Sequence, residues 1–386
     1  MNKLITTESV CFGHPDKIAD QISDAVLDLF LTKDPNSKVA VETMVKNNHV
    51  IIGGEVKCSA FIPDSELNET ILDVVRTFNF SEDHGFNINQ IRIQNLLSQQ
   101  SPEINAAVDN GEFLGAGDQG FMTGYATNET PNFMPIGMYV AKKLANYVTE
   151  ETIYGPDAKT QVTVEYDNDN KAVGIHTILI SAMHPKTTSL DDFRVLMSEA
   201  IKSNGMNLSN DIFDLITDKT ILLLNPAGSW NVGGPVSDCG VTGRKIVVDQ
   251  YGPYCPVGGG AFSGKDFSKI DRSGAYLCRY IAKNIVASGL ADKVRVEIAY
   301  AIAIAEPISI NVDTYGTGKI SDEELIGLVF KLFPLTPQDI EIHFDLKRPI
   351  YYELARYGHY GYNHLPWEKT DKSVELIKAY QLKTVV

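Results

Sequence analysis

Apolar and polar positions alternate with a period of two in paired stretches along the chain. Residues 39–45 and 50–56 flank the polar turn Lys46-Asn47-Asn48-His49 and predict a β-hairpin. A helix follows over about 64–78, with Leu67, Ile71, Val74 and Val75 on one face. The same order returns: 161–166 and 172–181 flank Asp167-Asn168-Asp169-Asn170, and a helix starts near Ser189 and carries Phe193, Leu196, Met197 and Ile201. A third unit has a strand over 294–304, where large residues from Val294 to Ile304 alternate with Arg295, Glu297, Ala299, Ala301 and Ala303. Its helix opens on the capping box Ser321-x-x-Glu324. Three such units predict an α+β fold of three structurally similar domains, each sheet packed on one side by helices. Glycine-rich, polar junctions near 100–116 and 226–236 separate the units. The first is long for a loop in a compact protein, which points to a functional or disordered segment.

At 386 residues the chain is long enough for two or three domains, and its composition is that of a folded protein. No apolar run is long enough to span a bilayer, and the start lacks the apolar core of a signal peptide. Five cysteines, none in a CxxC pair, argue for small buried hydrophobes in a reducing, cytoplasmic setting. A net charge of −15 excludes non-specific nucleic-acid binding. Within this acidic chain, residues 244–283 hold seven Lys/Arg against three Asp, a basic island suited to a polyanion. Arg279 and Lys283 of that island are expected on a solvated helix face.

Several segments carry candidate chemistry. Gly13-His14-Pro15-Asp16-Lys17 precedes an amphipathic helix, and Pro15 suits its first position. His14 and Asp16 then sit at a helix N-terminus, which attracts anions. The simpler alternative makes Asp16 a first-turn stabiliser and His14 a turn residue. Gly258-Gly259-Gly260-Ala261-Phe262-Ser263-Gly264-Lys265-Asp266 imitates a phosphate-binding loop, but Asp266 stands where a Ser or Thr would ligate metal. Lys269 and Asp271 open a helix that runs to Gly289, and Asp271 is a second candidate metal ligand. Trp230, among glycines, could stack on a purine or simply pack. No nucleophilic triad and no His/Cys metal cluster stands out, so the equipment is for electrostatic handling of a polyphosphate with metal ions.

The chain resembles the S-adenosylmethionine synthetase (methionine adenosyltransferase) family from end to end. The likeness rests on GHPDKIADQISDAVLD at 13–28, GAGDQG at 115–120, GYATNET at 124–130, PDAK at 156–159, DCGVTGRKIVVD at 238–249, GGGAFSGKDFSKIDRS at 258–273 and PWEKTD at 366–371. It departs from the family pattern at Cys11-Phe12, Ser229-Trp230 and Pro256-Val257. The resemblance implies synthesis of S-adenosylmethionine from ATP and methionine by three interleaved domains (1–100, 113–230 and 232–386) with pseudo-threefold symmetry, and a mobile lid over 100–112. It implies Mg²⁺, two per site, on Asp16 and Asp271, and one K⁺ beside Glu42. Methionine would meet Glu55, Gln100, Asp238, Lys269 and Ile302. Adenosine would meet Asp118, Asp157, Lys159, Ser229, Trp230, Asp238 and Ala261. The triphosphate would be gripped by His14, Arg244, Lys245 and Lys265, which with Lys159 form the catalytic set. It further implies a homotetramer, a dimer of dimers with active sites between subunits, and no nucleic-acid or membrane partner. A kinase or ATPase, and a non-catalytic nucleotide-binding subunit, are the competing readings.

Overall fold

The computed structural model describes residues 2–78, 80, 87–100, 115–150 and 154–384. The lid expected over 100–112 falls outside them, apart from Gln100. The first unit comprises β1 (Lys3–Val10), α1 (Pro15–Lys33), the hairpin β2 (Lys38–Lys46) and β3 (His49–Lys57), α2 (Asp64–Arg76) and β4 (Arg92–Gln99). The second repeats that order with β5 (Gly120–Thr127), α3 (Ile136–Glu150), β6 (Ala158–Tyr166), β7 (Ala172–Ala182), α4 (Leu190–Lys202) and β8 (Ile221–Leu224). The third has β9 (Gly240–Val241), α5 (Ile270–Ala287), β10 (Lys293–Tyr300), β11 (Ser309–Asp313) and α6 (Asp322–Leu332). Three further helices follow: α7 (Pro337–Phe344), α8 (Tyr351–Tyr357) and α9 (Ser373–Thr384).

Each unit's first strand pairs in a neighbour's sheet. β1 joins β6 in the order β1-β6-β7-β8, β5 joins β10 in β11-β10-β5, and β9 joins β2 in β4-β3-β2-β9. The exchange is cyclic, from first unit to second, second to third and third to first, and it gives the fold its pseudo-threefold symmetry. The helix after each exchanged strand covers the unit's own sheet: α1 on β2, α3 on β6 and α5 on β10.

Local chemistry sets the boundaries. Both predicted hairpins form, and Asn47 (φ 51°) and Asn170 (φ 58°) take the left-handed turn positions that asparagine tolerates. Ser189 caps α4, and the Ser321–Glu324 capping box is complete on α6. The strand expected over 294–304 stops at Tyr300. Val294, Val296, Ile298 and Tyr300 are buried, but the chain turns at Ala303 (φ 63°), leaving Ile302 46% and Ile304 51% exposed. The helix expected to reach Gly289 ends at Ala287.

The expectation for Arg279 and Lys283 is also corrected. Both lie in the core, where Glu368 accepts from Arg279 Nε at 2.8 Å and from Lys283 Nζ at 2.7 Å. Cys11, Cys255 and Cys278 are buried as expected, whereas Cys58 and Cys239 are partly exposed; all five are free thiols. No helix among the described residues is long and apolar enough to cross a membrane.

Candidate active site

Helix α1 organises the site through one line of carboxylates. Asp16, Asp20, Asp24 and Asp28 recur every four residues and therefore share a face. Asp16 accepts from Val241 N at 3.0 Å, Asp20 from Gly243 N at 2.9 Å and Asp24 from Gly264 N at 2.8 Å. Asp28 takes the backbone N–H groups of Tyr351 and Tyr352 at the start of α8. The ladder thus fastens the segment 238–245 and the glycine-rich turn 258–266 against one helix. Asp24 also holds Arg272 with two bonds of 2.7 Å. Lys17 bridges Asp20 at 3.0 Å and Asp249 at 2.8 Å; burial opposes its charge, but these two carboxylates hold its pKa above the ordinary lysine range.

The turn before α1 docks on the PDAK segment through Gly13 N to Pro156 O and Cys11 N to Ala158 O. His14 is the N-cap of α1, and its Nδ1 accepts from Asp16 N at 3.1 Å. A backbone N–H can only donate, so Nδ1 carries the lone pair and Nε2 carries the proton in the neutral ring. Burial, reinforced by Lys245 and Lys159, pushes the His14 pKa down to about 3. His14 is therefore a neutral donor at physiological pH. Because the folded value lies below the unfolded one, the unfolded chain binds this proton first. Acidification from about pH 6.5 towards 3 accordingly removes stability at this residue. In an NMR titration, the His14 ring signals should stay flat between about pH 5 and 8, and a midpoint near 6.5 would contradict the buried, neutral assignment.

Around this cap the charges converge. Asp16 is 1% exposed, Lys245 Nζ lies 2.5 Å from its Oδ2, and Arg244 Nε lies 3.7 Å from its Oδ1. Asp157 is buried, its Oδ2 accepts from Gly234 N at 2.7 Å, and its Oδ1 has no hydrogen-bond partner. Burial pushes its pKa up to about 7. Trp230 is half-buried, and its ring N–H donates to Val232 O. Ser229 and Asp118 are exposed.

A second group gathers on the glycine-rich turn. Lys265 Nζ lies 2.6 Å from Asp271 Oδ2, and Asp271 Oδ1 accepts from Gly260 N at 2.8 Å. Gly264 (φ 80°) must be glycine, because a Cβ there would meet Val41 O at 1.8 Å. Ala261 faces Gly243, where an added Cβ would lie 2.4 Å away, so the two groups adjoin. Asp266 proves to be a structural anchor, fully buried and bonded to Val39 N, Ser268 and Lys269. A cavity of about 310 Å³ is lined by Glu42, Glu55, Lys265 and Ser263, whose buried Oγ has no partner. Gln100 continues β4 beside Val56, with its Oε1 buried and unpartnered. Asp118 follows, and Ile302 belongs to, the bridge between Ala116 and Ile302, and Gly117 N bonds this turn to Ser268 O at 3.3 Å.

All seven basic residues of the 244–283 island are paired with carboxylates: Arg244 and Lys245 with Asp16, Lys265 with Asp271, Lys269 with Asp266, Arg272 with Asp24, and Arg279 and Lys283 with Glu368. Only the first four keep appreciable exposure. The island is therefore a solvent-accessible quartet backed by a buried trio.

The donor chemistry fits hard cations. No three His, Cys, Asp or Glu among the described residues form a metal cage. Asp16 and Asp271 each stand as a lone carboxylate beside a lysine, which suits Mg²⁺ held by one or two acids plus phosphate oxygens and water. Glu42 and the unpartnered Ser263 Oγ offer oxygens suited to K⁺.

Family models for the S-adenosylmethionine synthetase N-terminal, central and C-terminal domains match residues 2–102, 113–230 and 232–369. The chain is 46% identical over 389 residues to an S-adenosylmethionine synthase of Wolinella succinogenes, covering 98% of each chain. It is 45% identical over 398 residues to that of Corynebacterium urealyticum, again covering 98% of each. Its fold is similar to the solved structure of an unusual S-adenosylmethionine synthetase from Campylobacter jejuni, with TM-score 0.88 and 37% identity, covering 97% of this chain and 99% of that one. With matches in order across all three units and the site residues gathered on α1 and the glycine-rich turn, this chain belongs to the S-adenosylmethionine synthetase family.

Proposed function

We propose that the chain is a methionine adenosyltransferase that makes S-adenosylmethionine from ATP, L-methionine and water, releasing phosphate and pyrophosphate. The observation that carries this reading is the pair of adjoining carboxylate–lysine couples, Asp16–Lys245 and Asp271–Lys265, on segments fixed to one helix. Each couple offers one cation and one metal-binding acid to a polyphosphate. Arg244, Lys245, Lys265 and the His14 Nε2–H face the triphosphate; the unpartnered Asp157 Oδ1, with Lys159, Asp118, Ser229, Trp230, Asp238 and Ala261, holds the nucleoside. Methionine lies by Glu55 and Gln100, with Asp238, Lys269 and Ile302 completing its site. Asp16 and Asp271 would hold two Mg²⁺, which supply positive charge to the triphosphate, and Glu42 would border one K⁺.

The methionine sulfur attacks ribose C5′ in line. The S–C5′ bond forms as C5′–O breaks, and the electron pair leaves with the triphosphate. No proton moves in this step, so the alkyl transfer needs no general base. It needs donors aimed at the oxygen where charge grows, a task that neutral His14 and the lysines perform. Positioning supplies much of the remaining rate. Water then attacks a terminal phosphorus of the triphosphate: a new O–P bond forms as the bridging P–O bond breaks, and the water's proton passes to a phosphate oxygen as phosphate and pyrophosphate separate. The reading includes domains at 1–100, 113–230 and 232–386, a cytoplasmic setting and a homotetramer built as a dimer of dimers with active sites between subunits. Exposed Leu4, Phe121, Ile302, Ile304 and Ile308 support such an interface. ATP made chiral with deuterium at C5′ tests the displacement: the product should be inverted at that carbon, and retention would refute a single in-line attack.

A further inference from the structure

Between α3 and the turn at 360–363 lies a cavity of about 300 Å³. None of the residues assigned above to nucleotide, methionine or metal lines it. Met134, Met138 and Tyr139 give it apolar walls, and Lys142 lines it from α3. The Lys142 ammonium donates to Tyr360 O at 3.2 Å and lies 4.6 Å from the centre of the Tyr362 ring. No carboxylate stands within ion-pair distance of it among the described residues. The acids that could serve are committed elsewhere: Asp249, on the same cavity, to Lys17 at 2.8 Å, and Glu368 to Arg279 and Lys283. Burial pushes Lys142 down to about 8 despite the pull of Asp249 and Glu368. Gln250 also lines the cavity, and its buried Oε1 has no hydrogen-bond partner.

A desolvated ammonium without a counter-charge is costly, and an anion brought to it recovers that cost. The apolar walls add a driving force for a hydrophobic body. There is no arginine fork and no glycine-rich turn here, so the chemistry favours a carboxylate over a phosphate. We propose that this cavity is a second ligand site, which binds a small organic carboxylate. The acid pairs with Lys142, the apolar or aromatic body lies against Met134, Met138 and Tyr139, and a donor on the ligand satisfies Gln250 Oε1.

The probe is 3-(4-hydroxyphenyl)propionate, with its primary amide as the neutral control, titrated into the full chain carrying ¹³C at its methionine methyls. The acid should shift the Met134 and Met138 signals saturably while leaving Met44 and Met122 in place. The amide should bind about tenfold or more weakly, and Lys142→Met should erase that preference. Equal binding of acid and amide, a preference that survives Lys142→Met, or no saturable shift at Met134 and Met138 would overturn the proposal. The acid–amide comparison on the unaltered chain decides the matter even if Lys142→Met does not fold.

Discussion

Replacing Lys265 with alanine is expected to lower turnover by about 10²–10³ while leaving the fold intact, the scale for removing one preorganised charge-stabilising donor. Lys265 reaches Asp271 at 2.6 Å and keeps 21% exposure, so it can meet a ligand. Its backbone is fixed independently of its ammonium. Gly264 N is held by Asp24, Gly260 N by Asp271, and the Lys265 backbone bridges Ala40. Alanine therefore removes the charge and keeps the turn. Negative charge grows on the departing oxygen only in the transition state, so the loss should fall on kcat more than on KM. Unchanged turnover, or a loss explained wholly by weaker ATP binding, would contradict the role assigned to this lysine. Folding is checked separately by denaturant unfolding, which should show a midpoint close to that of the parent chain.

The largest expected loss of stability lies away from the chemistry, at Glu368. Its two oxygens serve Arg279 Nε at 2.8 Å, Arg279 Nη2 at 3.0 Å and Lys283 Nζ at 2.7 Å, and all three side chains are buried. Arg279 also donates to the carbonyls of Tyr125, Asn132 and Phe133, so the triad ties α5 to the segment after β5. Glu368→Gln keeps the shape and removes the charge, stranding two buried cations. It should cost about 3–5 kcal/mol, read as a large fall in the denaturant midpoint; a change within about 0.5 kcal/mol would contradict the assignment. Burial alone would raise the Glu368 carboxyl, but Arg279 and then Lys283 hold it below the ordinary range. With the folded value depressed, its contribution is present above the unfolded value of about 4.3 and is lost as pH falls through the folded one.

The hairpins, the α1 entry and the glycine-rich turn are legible in the chain because their signals are local. Period-two alternation, a proline at a helix start and Asn in a turn act over a few residues. The strand exchange is not legible. β1 buries Thr7 and Ser9 on its inner face, so its alternation is polar and does not register as hydrophobic periodicity. β9 is two residues long. The α1 ladder escaped for a different reason. The partners of Asp20, Asp24 and Asp28 lie 223, 240 and more than 300 residues away, beyond the reach of any local pattern. The spacing itself was a usable signal: four like charges aligned on one face repel unless each has a donor. Arg279 and Lys283 misled likewise, since their counter-charge sits in the PWEKTD segment beyond three intervening helices. Among the candidate site residues, His14, Asp16 and Lys245 meet at the α1 cap, and Lys265 stands with Asp271 on the glycine-rich turn. Asp118 and Ile302 stand by a turn whose fastening is not legible in the sequence: Gly117 N bonds to Ser268 O and Ala116 bridges Ile302, contacts between segments more than 150 residues apart.

The central claim is tested most directly by product stoichiometry. Purified protein is incubated with ATP, L-methionine, Mg²⁺ and K⁺, and S-adenosylmethionine, phosphate and pyrophosphate are resolved at endpoint. The account predicts all three in equal amounts, and none when methionine is withheld. ATP loss without the sulfonium product, or phosphate release independent of methionine, would contradict it.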